Sequence, residues 1–172
     1  HFTLTLMGHL GLANARFLHG CTGMNLDLMA RKPLWDRDLD FKCGTGHGMG
    51  YLLSIHESPA GFRWRYSADD MAALEEGMVL TDEPGIYIEG SHGVRLENEI
   101  LVRKGRENEY GQFMYFEILT YIPMDLDAVN ADMLPEETKK QLNDYHKTVY
   151  EKISPYLNDE EKEWLKKYTR EI

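Results

Sequence analysis

His47 lies in the run Cys43-Gly44-Thr45-Gly46-His47-Gly48-Met49-Gly50, where glycine recurs at every second position. Residues without a Cβ let the backbone carry one imidazole very close to another group. No Lys-Ser/Thr pair follows, and the next residues read as strand rather than helix, so the run is not a phosphate cradle. A lone histidine is more often structural than a ligand. His47 reads as a metal ligand because two acids downstream can join it.

Those acids are Glu83 and Glu97. Two strand-like runs flank Glu89-Gly90-Ser91-His92-Gly93, a hairpin-loop composition, and a hairpin centred on Gly90 sets Glu83 opposite Glu97 on the same face. Directly opposed side-chain stems stand about 5 Å apart. Carboxylates held that close repel, so one takes a proton or a cation sits between them, and a metal is the simplest resolution. The bland alternative, two solvated acids on a wet sheet face, is weakened by the neighbours Pro84, Gly85, Val94, Leu96 and Ile100. Glu99 shares the parity of Glu97 and is either an outer residue of the site or simply exposed.

The elements that must hold these groups follow from periodicity. Apolar Leu6, Leu10, Ala13 and Phe17 recur at helical spacing and predict a helix over 2–17, and Leu26, Met29, Ala30 and Leu34 predict a second over 25–35 despite Pro33. A Gly- and Asp-rich loop is expected over 36–50. Strands are expected at 51–56, 78–82, 85–89, 93–103 and 115–122, between Gly and Pro breaks. After Pro123 the character changes, and 134–156 and 159–169 predict two charged amphipathic helices, each opened by an acidic turn. The expected division is a main unit over 1–122 and a helical C-terminal extension over 123–172.

Bulk properties bound the function. The 172 residues, 42% of them apolar, suffice for one core, and a formal net charge of -10 would repel a phosphate backbone, so nucleic acid is a poor partner. Two cysteines at unrelated spacing give neither a disulfide framework nor a zinc motif, which suits the cytoplasm. No apolar run approaches the roughly 20 residues of a bilayer span, so no membrane partner is expected. The sequence starts at His1 with a helical pattern under way, and residues upstream are expected to be missing.

Four strings in order carry a family resemblance: Gly44-Thr45-Gly46-His47-Gly48-Met49-Gly50, Ile55-His56-Glu57, Thr81-Asp82-Glu83-Pro84-Gly85 and Val94-Arg95-Leu96-Glu97-Asn98. Together they resemble the C-terminal catalytic half of Xaa-Pro aminopeptidases, pita-bread dinuclear metallopeptidases related to prolidases and methionine aminopeptidases. The resemblance implies an α+β fold with a curved, mostly antiparallel sheet backed by helices. It also implies two divalent metal ions, most naturally Mn2+ with Co2+ or Zn2+ as alternatives, and peptides with proline at the second position as substrates.

The implied activity is hydrolysis of the N-terminal Xaa-Pro bond through a metal-bridging hydroxide. Of the family's five ligands, two Asp, one His and two Glu, the last three match His47, Glu83 and Glu97. The two Asp belong to a strand upstream of the first helix and are expected to be absent, leaving a fragment that binds metal weakly. Asp27 and Asp38 share the family pair's spacing but read as decoys. Glu83 is also the implied general base, His9 matches a substrate-site histidine, His56 a proton shuttle, and Arg95 an arginine that buttresses the second Glu. Cys43 departs from the pattern, standing where relatives often have a histidine. A homodimer is implied, and the alternatives are a prolidase limited to dipeptides and a pita-bread binding module without catalysis.

Overall fold

In the computed structural model, which describes residues 1–53 and 55–172, a curved antiparallel sheet is backed by helices. Helix α1 (Phe2–Ala13) has no wet face: Leu6, Leu10 and Leu12 are fully buried, as are Thr5 and His9. Helix α2 (Gly23–Trp35) starts at a Thr22/Asn25 capping box and packs hard against α1. The contact depends on Gly8, where a Cβ would lie 2.1 Å from the Ala30 carbonyl oxygen.

The helix expected over 2–17 is two elements. Asn14 ends α1, its side-chain amide donating to the Leu10 carbonyl, and strand β1 (Arg16–Leu18) pairs with β8 (Gly111–Ile118), Phe17 facing Met114. Phe17 stacks on Phe116 at 5.0 Å, so its apolar position is served by a strand. Spacing alone could not separate the two cases.

Strand β2 is Gly46–Gly48, β3 is Glu57–Phe62, β4 is Val79–Asp82 and β7 is Asn98–Asn108. The six-stranded sheet runs β1-β8-β7-β4-β2-β3. A separate hairpin joins β5 (Gly85–Ile88) to β6 (His92–Arg95). The strand expected over 93–103 is thus interrupted at Leu96 and Glu97.

The strand expected over 51–56 is not formed by the described residues there, and its Ser54 lies outside them. Leu52 and Leu53 take left-handed φ of 51° and 71° and are 78% and 92% exposed. The strand lies earlier, in the expected loop, because its glycines tolerate neighbours that a side chain would not. A Cβ would meet the Thr81 carbonyl at 1.9 Å from Gly46 and the Glu57 carbonyl at 2.2 Å from Gly48.

Beyond Pro123, α3 (Glu136–Ile153) and α4 (Asp159–Tyr168) form as expected. Leu142, Val149 and Leu165 share one core with Leu6 and Leu10 of α1. Each such side chain, once buried, contributes about 1.5–3 kcal/mol. The C-terminal helices are thereby docked on the helix that backs the sheet.

Candidate metal centre

The β4–β7 ladder ends at Asp82 opposite Asn98, and the β5–β6 ladder begins at Gly85 opposite Arg95. Both obey the register expected from a turn at Gly90. Glu83 and Glu97 fall in the gap between the two ladders, where the strands separate. The Glu83 amide donates to the Thr45 carbonyl at 2.8 Å, which draws it toward the loop carrying His47.

Thr81 joins the two ligand candidates. Its hydroxyl accepts from the His47 amide at 3.0 Å and donates to Glu83 Oε1 at 2.9 Å. His47 Nε2 then meets the same carboxylate oxygen at 3.1 Å. The other ring nitrogen, Nδ1, lies 3.0 Å from the Gly48 carbonyl and donates to it. Nε2 is the ring nitrogen turned to the Glu83 carboxylate and the cleft, and an outer hydrogen bond at Nδ1 is how a metal-ligating histidine is oriented.

Arg95 stands between the two acids, its Nε 3.2 Å from Glu97 Oε2 and 3.9 Å from Glu83 Oε2. A hydrogen bond with Tyr87 and the charge of Glu97 raise the guanidinium pKa. A side-chain cation thus stands beside both carboxylates. His56 lies beside His47, ring centroids 4.2 Å apart. A cleft of 220 Å³ is lined by Cys43, His47, His56, Glu83, Tyr87 and Arg95. Burial raises the Cys43 thiol pKa, and a neutral thiol faces the cleft.

His9 does not line this cleft. It is wholly buried behind the strands, Nε2 2.7 Å from Asn98 Oδ1 and Nδ1 3.3 Å from Asp82 Oδ2. Burial acts to lower its pKa, but the Asp82 carboxylate outweighs that and raises it. The substrate-contact role expected for His9 is therefore corrected to an interior one. Asp38 is exposed.

Asp27 is buried and serves structure. It takes a hydrogen bond from the Thr45 hydroxyl and another from Arg31 Nε at 2.6 Å. Arg31 also donates to the carbonyls of Phe41 and Cys43, fixing the loop that leads into β2. Sequence reading missed Thr81, Tyr87 and Arg31. Only Thr81 had a visible signal, lying two residues before Glu83 on the same strand face.

Residues 1–104 match the family described as "Metallopeptidase family M24", and 112–172 match its C-terminal region. The chain belongs to metallopeptidase family M24. A probable Xaa-Pro aminopeptidase P of Coprinopsis cinerea is 39% identical over 99% of this M24 chain, which covers 28% of that protein. The X-prolyl aminopeptidase of Caenorhabditis elegans, described as a cytosolic enzyme with a di-nuclear active site, superposes with a TM-score of 0.91 at 35% identity, over 100% of this chain and 28% of its own. A Xaa-Pro dipeptidase from Bacillus anthracis gives 0.54 at 34% identity, over 73% of this chain and 31% of its own. The α+β pita-bread reading agrees with these M24 neighbours. The chain spans about 28% of the length of the aminopeptidase relatives it matches.

Donor chemistry here suits a divalent ion: an imidazole oriented by its outer hydrogen bond, beside a carboxylate oriented by a hydroxyl. Their number alone is short. Among the described residues, no three His, Cys, Asp or Glu side chains converge closely enough to hold a metal ion. Glu97 is kept with Glu83 through Arg95 rather than by direct approach to His47. Among the described residues, too, no helix is long and apolar enough to cross a membrane.

Proposed function

We propose that this chain is the C-terminal portion of the catalytic domain of an aminopeptidase that removes an N-terminal residue preceding proline. His47, Glu83 and Glu97 contribute three of the ligands of a two-metal site. The observation that carries the reading is the contact of His47 Nε2 with Glu83 Oε1 at 3.1 Å, with His47 held at Nδ1 by the Gly48 carbonyl and the same Oε1 held by the Thr81 hydroxyl. When bound, the divalent ions would supply Lewis acidity and activate water at neutral pH. Carboxylates with a single imidazole suit manganese.

Around that site, Glu83 would serve as ligand and take up a proton, with its carboxylate oriented by the Thr81 hydroxyl. His56, its ring tilted against that of His47 at the cleft, would carry a proton toward the leaving amine. Arg95 holds Glu83 and Glu97 together against their mutual repulsion. The proline amide has no N–H, so a cleft reading ring shape and a free amino terminus suits the substrate.

The aminopeptidase reading is favoured over a dipeptidase by the likeness along the whole chain to the C. elegans enzyme, at a TM-score of 0.91, and by the curated Xaa-Pro aminopeptidase P relative at 39% identity over 99% of it. A cytoplasmic location is supported by the description of that same neighbour. The test is the full-length protein loaded with manganese and offered Xaa-Pro tripeptides and dipeptides. Cleavage of the tripeptide is expected; cleavage of dipeptides alone would turn the reading to a prolidase, and no cleavage of either would sink it.

A further inference from the structure

Behind Glu83 and Glu97, the strands present Asp82 and Asn98, a cross-strand pair whose side chains point to the opposite, buried face. His9 of α1 bridges them at the last rung of the ladder, touching Asn98 at 2.7 Å and Asp82 at 3.3 Å. The amide of Asn98 is oriented by its other partners. Its two N–H groups are shared among Thr120 Oγ1 at 2.7 Å, the Thr120 carbonyl at 3.1 Å and the Tyr145 hydroxyl at 3.2 Å. Oδ1 must then accept, so His9 donates through Nε2. Tyr145 of α3 in turn donates to the Ile122 carbonyl at 2.7 Å.

These buried polar groups have no role in the cleft, and interior polar side chains are costly unless they specify a geometry. They form a chain of contacts from the docked C-terminal helix to the residues immediately beside both acids. The strands diverge just past this pair, which puts His9 where it can act on the angle between them.

We propose that Tyr145, acting through Asn98 and His9, is a positioning residue for Glu83 and Glu97, so that docking of α3 sets the separation of the two acids at the metal site. The inference rests on the metal-site reading above. It makes the C-terminal helices contributors to the site's construction, although none of their side chains enters the cleft.

The experiment uses the intact protein and two readouts: amide hydrogen exchange without metal, and Mn2+ affinity by calorimetry. Tyr145→Phe removes one hydroxyl and keeps the ring. It is expected to speed exchange at 82–84 and 96–98 and to weaken Mn2+ binding several-fold, less than the roughly 10- to 100-fold seen when a direct partner of a ligand is lost. His9→Gln, which can still donate to Asn98 but not reach Asp82, is expected to speed exchange mainly at 82–84. Val149→Ala serves as the control, because it loosens α3 through an apolar contact that leaves the polar chain intact. Unchanged exchange and affinity in Tyr145→Phe, or equal effects from Val149→Ala, would overturn the proposal. Failure of the unmutated protein to bind Mn2+ sinks the metal-site reading instead, and the exchange result then decides separately whether Tyr145 positions the two strands.

Discussion

Arg31 donates to Asp27 at 2.6 Å with both side chains fully buried, one helical turn apart on α2. The pair does more than neutralise itself, because Arg31 also binds the carbonyls of Phe41 and Cys43 while Asp27 takes the Thr45 hydroxyl. It is the anchor of the loop that delivers His47. Removing one partner strands the other charge in the interior, which typically costs about 3–5 kcal/mol. Arg31→Met is therefore expected to lower stability by roughly that amount, measured by urea denaturation. A loss below about 1 kcal/mol would mean that water reaches Asp27 and the anchor is weak.

Thr81 offers a milder change. Thr81→Val keeps the branched shape and deletes the hydroxyl that links the His47 amide to Glu83. A net hydrogen bond is worth about 0.5–1.5 kcal/mol, so folding should survive. Metal affinity of the full-length protein should fall about 10- to 100-fold, since the lost group orients a carboxylate ligand. Calorimetric titration with Mn2+ checks this, and an unaltered affinity would show that Glu83 is oriented without Thr81.

Much of this site is legible in the sequence because local rules set it. Turn chemistry at Gly90 fixes the register on either side of Glu83 and Glu97, and alternate glycines mark the close approach at His47. What cannot be read there depends on distant partners. His9 faces Asp82 and Asn98 across more than seventy residues of chain, and nothing near position 9 shows that its ring is interior. Phe17 obeys helical spacing yet sits in a strand, because the core accepts an apolar ring from either element. The apolar run at Tyr51 to Leu53 reads as a strand, but its side chains are exposed, since glycines at 46 and 48 take the place beside β4.

Gly46 gives the sharpest steric prediction. A methyl group there would lie 1.9 Å from the Thr81 carbonyl oxygen and 2.9 Å from the Phe62 ring. The ring can yield, but the backbone of β4 cannot without moving Glu83. Gly46→Ala is expected to separate β2 from β4 and to abolish measurable Mn2+ binding, while the α1/α3 core keeps the chain folded. Circular dichroism with calorimetry tests both halves, and tight binding in the variant would show that the strands can separate without displacing the ligands.

The docked C-terminal helices carry their own pH dependence in His146. Its Nε2 accepts from the Met124 amide at 2.9 Å, and burial, with the nearby Arg170 charge adding to it, pulls its pKa down to about 4. In the unfolded chain the same ring titrates near 6.5. Below that value the unfolded state binds a proton that the folded state refuses, so stability falls as pH drops. The contribution is fully present above pH 6.5 and is lost progressively until the folded ring protonates near pH 4. Its full size is on the order of 3 kcal/mol. Replacing the ring with a residue that does not titrate, His146→Gln, should flatten the stability profile between pH 6.5 and 4, even where it lowers stability at neutral pH. Urea midpoints collected across that interval decide the matter: parallel profiles for the two proteins would show that acid loosens the helices through other groups.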